Sequence, residues 1–192
     1  MSPNKRKHFL PMPVVVISTV DKEGNRNIAP YANVLPALRP LDMVAIASWF
    51  RRGTLGNIRD TKEFVINVPS ADLVDEVMIC SRNYPEAVDE FAEVNLGVKA
   101  SQNVIAPLIE GCIAWVECTL DREVTEEGKY SIIEKVVHPG IDCRYLTENG
   151  DPDLEKSRPL SVMLGERDWN VLHSASGHWR LHEYTEMFIG GN

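Results

Sequence analysis

The chain has 192 residues, 44% of them apolar and 25% charged, a balance ordinary for one soluble globular domain with a full core. Its formal net charge of −8 argues against a general nucleic-acid binder, which needs surplus Lys and Arg to displace phosphate counterions. No stretch approaches the ~18 apolar residues that span a bilayer.

The N-terminus, MSPNKRKHFLPMPVVVISTV, sets a basic patch before an apolar run. Pro11 and Pro13 interrupt it and no small-residue cleavage site follows, so it is read as leading into a first buried strand rather than as a signal peptide. Cys80, Cys112, Cys118 and Cys143 form no C-x-x-C pair, and free thiols in a reducing cytoplasm are the expectation.

The β-branched run Val14–Val20 predicts the first strand, and Asp21-Lys22-Glu23-Gly24-Asn25 a hairpin turn. Asn27–Leu35 continues as a strand. Pro36–Asp42, with prolines at 36 and 40, reads as a loop, because proline cannot donate to a central ladder. Met43–Ser48 and Phe64–Val68 are short strands, with one or two helical turns at Thr54–Arg59 between them. Leu73, Val74, Val77 and Met78 recur at helical spacing in Ala71–Cys80, with Ser70 or Asp72 as cap. Asp89–Val94 is a second short helix.

Cys112–Val124 and Tyr130–Val137 form a long hairpin around the turn Thr125–Lys129, ended by Pro139-Gly140. Asp142–Arg158 is a polar, exposed excursion; Leu160–Leu164 reads as a last strand and Trp179–Phe188 as a helix. Short strands spaced by turns, with helices inserted midway, predict an antiparallel barrel carrying helical excursions.

The chemistry concentrates in the first third. Neither G-x-G-x-x-G after a strand nor G-x-x-x-x-G-K-[ST] is present. Instead Arg51 and Arg52 precede Thr54 and Asn57 at a helix start. A terminal phosphate needs a cationic fork, a hydroxyl and free backbone N–H groups, and this turn offers all three. An N-cap threonine beside two solvated arginines is the plainer alternative. In Asn27–Asn33, small Ala29 and Ala32 permit close backbone approach, while Tyr31 and Asn33 bring polar tips. An edge strand limited by Pro30 accounts for the same residues.

Taken together, PVVVISTVD, EGNRNIAPYAN, TLGNIRDTKEFVINV, DEF at Asp89–Phe91, WVECTL at Trp115–Leu120 and IEKVVH at Ile133–His138 resemble the flavin reductase-like family, the FMN-binding split barrels, in order and spacing. The resemblance covers roughly Pro11 to His138. It implies a mainly β, antiparallel Greek-key split barrel with inserted short helices, forming a homodimer with FMN near the subunit interface. A single domain over 1–192 is expected, with its core at about 11–138 and a C-terminal extension over 139–192. By position, the family's flavin contacts fall on Pro30, Tyr31, Ala32 and Asn33, on Ser48, Trp49, Phe50 and Arg51, and on Thr54. Many members carry Ser or Thr where this chain has Ala32, and Ser48-Trp49-Phe50 is bulkier than usual.

The activity implied is reduction of flavin, or of a substrate through bound FMN, by hydride transfer from NADH or NADPH. Such chemistry is centred on the flavin and asks for no catalytic acid or base from the protein. A flavoredoxin-type electron carrier is the alternative, and a monooxygenase or redox protein the expected macromolecular partner. A pyridoxal-phosphate-oxidase-like barrel would call for different phosphate-binding motifs. His173, His178 and His182 place two histidines at i, i+4 on the tail helix, a spacing metals can use. No glutamate sits inside the pair, so the tail is expected to pack on the barrel or the partner subunit through Trp179 instead of holding a metal. Cys118 is expected to be a small buried residue, and His138 either faces the flavin or closes the hairpin.

Overall fold

The computed structural model describes residues 12–38, 42–49, 53–82, 84, 88–126, 129–164, 169–174 and 179–183. A seven-stranded antiparallel sheet forms its centre. In chain order its strands are β2 (Val15–Val20), β3 (Arg26–Tyr31), β4 (Val34–Leu38), β5 (Met43–Trp49), β6 (Glu63–Val68), β9 (Ala114–Glu126) and β10 (Lys129–Ile141). In space the order is β3-β2-β6-β9-β10-β5-β4. Two short strands, β7 (Val98–Lys99) and β8 (Leu108–Ile109), pair with each other. A four-stranded sheet runs β1 (Met12–Pro13), β11 (Leu160–Leu164), β12 (Trp169–Ser174) and β13 (Trp179–Glu183).

The connection from β3 to β4 shows that the large sheet closes on itself. These strands occupy its opposite edges, yet only Ala32 and Asn33 lie between them. Six interstrand gaps in a flat sheet would separate the edges by ~29 Å, whereas three consecutive Cα steps reach at most ~11 Å. The sheet therefore curls into a barrel whose edges meet at Tyr31–Val34. There the Ala47 N–H donates to the Asn33 carbonyl at 2.9 Å.

Strand periodicity distributes the apolar residues over both faces. Val15 and Ile17 of β2, Ala29 and Tyr31 of β3, Phe64 and Ile66 of β6 and Cys118 of β9 fill the barrel interior with Val44 and Ile46. Their neighbours Val14, Val16 and Ile28 point outward under α2 (Val74–Cys80) and α3 (Glu90–Val94), joined by Leu160 and Val162 of β11. Strand β11 thus packs on the barrel's outer layer. Helix α1 (Gly53–Thr61) contributes Leu55 and Ile58 to the interior and ends at Lys62, which takes a left-handed φ of 65°. The hairpin turn before β3 is fixed by Asp21, whose carboxylate accepts from the Glu23 and Asn25 N–H groups, while Gly24 supplies φ 90°.

Several expectations are corrected. The strand Asn27–Leu35 is two strands, because the chain changes sheet edge at Ala32–Asn33. Pro36 lies inside β4 instead of a loop. At the sheet's outer edge its missing N–H has no ladder to break, and the pairing shifts register between Pro36 and Leu38. Pro139-Gly140 does not end the hairpin, for β10 runs on to Ile141. Beyond Lys135 it pairs with β9 alone, so Pro139 again sits on an open edge. Helix Ala71–Cys80 opens as a 3₁₀ turn over Ala71–Leu73, with the Ser70 hydroxyl accepting from the Asp72 N–H. The polar excursion holds a 3₁₀ turn at Cys143–Tyr145 and a short helix α4 (Leu154–Ser157). Finally, 179–183 is strand β13 paired in register with β12, and not the start of a helix; residues 184–188 lie outside the described residues. In Trp179-Arg180-Leu181-His182 apolar and polar residues alternate with period 2, which suits a strand.

Candidate functional site

Thr54 occupies the second position of α1 and is buried. Its Oγ1 donates to Asn27 Oδ1 at 2.9 Å, and Asn27 Nδ2 donates to Glu90 Oε1 at 2.8 Å. The Ile28 N–H donates to the second carboxylate oxygen at 3.1 Å, so α3 caps the exposed edge of β3. Burial pushes the Glu90 carboxyl up to about 7, against the pull of the Ile28 N–H and with the Asp89 charge adding to the rise. Asp89 accepts from the Phe91 N–H and pairs with Arg26, whose guanidinium lies 5.1 Å from the Phe91 ring centroid. A Thr–Asn–Glu chain thus links α1, β3 and α3.

The first turn of α1 carries no acidic residue, so its N–H groups meet no anion from within that turn. Gly53 and Gly56 are exposed, and a Cβ at Gly53 would meet only Asn27 Nδ2, at 3.9 Å. Among the described residues only Asn27 comes this close to the helix start at Gly53. The first-turn amides and the Arg51-Arg52 pair in the sequence form a donor set that fits a phosphate, with Thr54 Oγ1, its proton on Asn27, beside them. Arg51, Arg52 and Phe50 lie outside the described residues. Asn57 turns elsewhere: half-buried, it donates from Nδ2 to Thr19 Oγ1 at 3.0 Å and fastens α1 to β2.

The second predicted patch divides between the two faces of the sheet. Tyr31 is buried in the barrel interior, and its hydroxyl lies 3.3 Å from buried Ser48 Oγ. The pair bridges β3 and β5 across the barrel's closure. Ala32 is half-buried against the outer apolar layer. Pro30 stands opposite Val16, and Asn33 has an exposed side chain. Trp49 closes β5, opposite Lys129. Tyr31 and Ser48 are brought together, whereas Ala32 and Tyr31 face different layers.

Sequence reasoning missed Glu90 and the pairing role of Asn27. Both lie in quoted motifs, NIAP and DEF, but their 63-residue separation hides the hydrogen bond between them.

The thiols have no redox geometry. Cys80, Cys112 and Cys118 are buried and form no disulfide, Cys143 is exposed, and burial pushes the Cys80 and Cys112 thiols up to about 12. His138 lies within β10 opposite Glu117, just past a register shift. His173 and His182 sit on the paired strands β12 and β13, so His182 is not helical; His178 lies outside the described residues. Among the described residues no three His, Cys, Asp or Glu side chains are grouped to hold a metal, and no helix is long and apolar enough to cross a membrane.

The model of the flavin reductase like domain matches residues 6–143, well over half of the chain. The protein belongs to the flavin reductase-like family. A relative from Methanothermobacter thermautotrophicus, described as an uncharacterized protein, is 44% identical over 192 residues, covering 97% of this chain and 90% of its own. Two solved structures share the fold at 20% identity. Nitrilotriacetate monooxygenase component B from Bacillus cereus has a TM-score of 0.79 and covers 94% of this chain and 96% of its own. Flavoredoxin of Desulfovibrio vulgaris (Miyazaki F) has a TM-score of 0.77, covering 95% and 92%. The closed antiparallel sheet is accordingly the split barrel of this family.

Proposed function

We propose that this flavin reductase-like protein binds FMN and uses NADH or NADPH to reduce flavin, or a substrate through bound FMN. The observation that carries the reading is the start of α1, a helix N-terminus free of acidic residues, directly after Arg51-Arg52 and with Thr54 beside Asn27. Thr54, the first-turn amides and Arg51 would hold the phosphate, and the backbone of Pro30–Asn33 and Ser48–Phe50 would seat the ring. Bound FMN would supply hydride acceptance at N5. The chain's own part is to bind and orient the flavin and to keep bulk water from it.

The active form of the proposal is a homodimer. Leu35 is 57% exposed on edge strand β4, next to Ala37 and opposite Ala45, and a second copy would cover this apolar edge. Sedimentation at micromolar concentration should show a dimer; a monomer there sinks this part. A monooxygenase is the partner class for delivery of reduced flavin, by analogy with the Bacillus cereus component B.

The test is binding followed by anaerobic reduction. The purified protein should take up FMN with flavin absorbance, and NADH or NADPH should bleach it. The likeness to flavoredoxin supports a second reading, an electron carrier in the cytoplasm that holds FMN tightly. Bleaching only by a reduced partner protein would select it. Failure to bind any flavin would refute both.

A further inference from the structure

We propose that Glu90 is a positioning residue for the phosphate end of this site: through the Asn27 amide, its protonation decides whether Thr54 offers a bound phosphate its hydroxyl proton or only its lone pairs. The proposal rests on the flavin reading above.

An ionised carboxylate only accepts. Glu90 receives the Ile28 N–H on one oxygen and Asn27 Nδ2 on the other, at 3.1 and 2.8 Å. That fixes the amide with Oδ1 towards Thr54, and the single hydroxyl proton of Thr54 is spent on it at 2.9 Å. A phosphate arriving at α1 then meets the Thr54 lone pairs, which repel it. When Glu90 takes up a proton, the oxygen facing Ile28 still accepts. The other becomes O–H, and Oδ1 is the acceptor the Asn27 amide can turn to it. The amide rotates by half a turn, Nδ2 donates to Thr54 Oγ1, and the hydroxyl proton is freed for the ligand. Protonation also removes a negative charge two hydrogen bonds from the anion. Both effects have the same sign.

The surroundings hold this carboxyl where such a change is accessible. Burial raises it to about 7, and Asp89 pushes the same way. The other charged or titratable groups on the packed elements are Glu93 on α3, Asp75, Glu76 and Cys80 on α2, and Arg26 on β3. Arg26 pairs with Asp89, and the Glu90 charge in turn raises the Cys80 thiol. On α1, Arg59 is held by Glu123 outside this cluster, and Asp60 is exposed.

The experiment is fluorescence titration of the full chain with FMN and with riboflavin between pH 6 and pH 8.5. Riboflavin lacks the phosphate and serves as the internal reference. In the wild type the FMN-to-riboflavin affinity ratio should rise about tenfold or more on going to pH 6, the worth of one charge-assisted hydrogen bond. Glu90→Gln places an amide donor permanently towards Asn27, so its ratio should stay high at pH 8.5 and lose the step. The phosphate's own titration is common to both proteins and cancels in their comparison. Thr54→Val keeps the shape and removes the proton, so FMN should bind weakly without the step while riboflavin is unaffected. Thermal melts of each variant verify folding. A Glu90→Gln protein that keeps the wild-type step, or a step equally large for riboflavin, overturns the proposal alone. Failure of both flavins to bind at every pH overturns the flavin reading, and the proposal with it.

Discussion

Asn67→Ala should be among the most destabilising single changes in the barrel. Asn67 is fully buried in β6, and its amide joins three segments. Nδ2 donates to the Val16 carbonyl at 3.2 Å and to Ser18 Oγ at 3.1 Å, while Oδ1 accepts the Ile109 N–H at 2.9 Å. Ser18 in turn donates to the Pro107 carbonyl at 2.6 Å. Truncation strands the Ile109 N–H away from water, at ~1–3 kcal/mol, and the vacated amide leaves a void worth about 1 kcal/mol more. A sum of about 2–4 kcal/mol, set against an unfolding entropy of roughly 0.4 kcal/mol/K for a chain of this length, lowers Tm by about 5–10 °C. Ser18→Ala removes the Pro107 link and one of the two acceptors of Asn67 Nδ2 but leaves the Ile109 N–H paired, and should cost about 1–2 kcal/mol. Calorimetry or circular-dichroism melts measure both. A fall of under about 2 °C for Asn67→Ala, well below this entropy estimate, would mean that the amide does not hold the 107–109 segment to the barrel.

Arg51→Ala should weaken FMN binding roughly ten- to a hundredfold, since a charge-assisted hydrogen bond contributes about 1.5–3 kcal/mol, and leave riboflavin nearly unchanged; equal losses in a titration would assign the arginine to the fold. Ala32→Phe should abolish flavin binding at a stability cost of only ~1–3 kcal/mol, and retained flavin absorbance in a folded variant would remove the ring from this place. In the native protein Glu90 keeps its proton up to about 7, whereas an ordinary glutamate has lost it by about 4.5. Native binding of the extra proton makes stability greatest below that window and diminishing as pH rises from about 4.5 to about 7. Glu90→Gln should flatten that stretch of a Tm–pH curve. Gly140→Ala would place a Cβ 2.4 Å from the Trp115 ring, so the ring or strand must shift, and melts should show a loss of about 1–3 kcal/mol.

Those parts of the fold that rest on local pattern were legible in the sequence. The run Val14–Ile17 is apolar throughout because both faces of the chain there are covered, by the barrel interior on one side and by α2, α3 and β11 on the other. The Asp21–Asn25 turn and the Asp89 cap of α3 are local hydrogen-bond solutions, written in residues two to four apart. What escaped was decided by tertiary position. Pro36 and Pro139 argue against a strand only where an N–H is needed, and nothing local tells that each stands at an unpaired edge. The site shows the same limit. Residues 30–33 look like one surface because they are consecutive, but the period of two and the crossing at Ala32–Asn33 divide them between layers.

Strand β3 makes the two halves of the proposed site depend on each other. Asn27, Ala29 and Tyr31 share one face of it by alternation. Asn27 at one end holds Thr54 at the start of α1, and Tyr31 at the other meets Ser48 where the barrel closes. The two are four residues apart, or ~13 Å along a strand. Because side chains alternate, a slip of β3 by one residue against β2 would turn Asn27 and Tyr31 outward together and bring Ile28 and Pro30 inward. Thr54 and Ser48 would then lose their partners in a single step, and Glu90 would lose the Ile28 N–H that anchors it. The register opposing Val16 to Pro30 and Ile17 to Ala29 is therefore under two constraints at once, interior packing and the polar contacts at both ends. The proposed phosphate and ring sites would thus be set by a single register, and a change that loosens one end of β3 should be felt at the other.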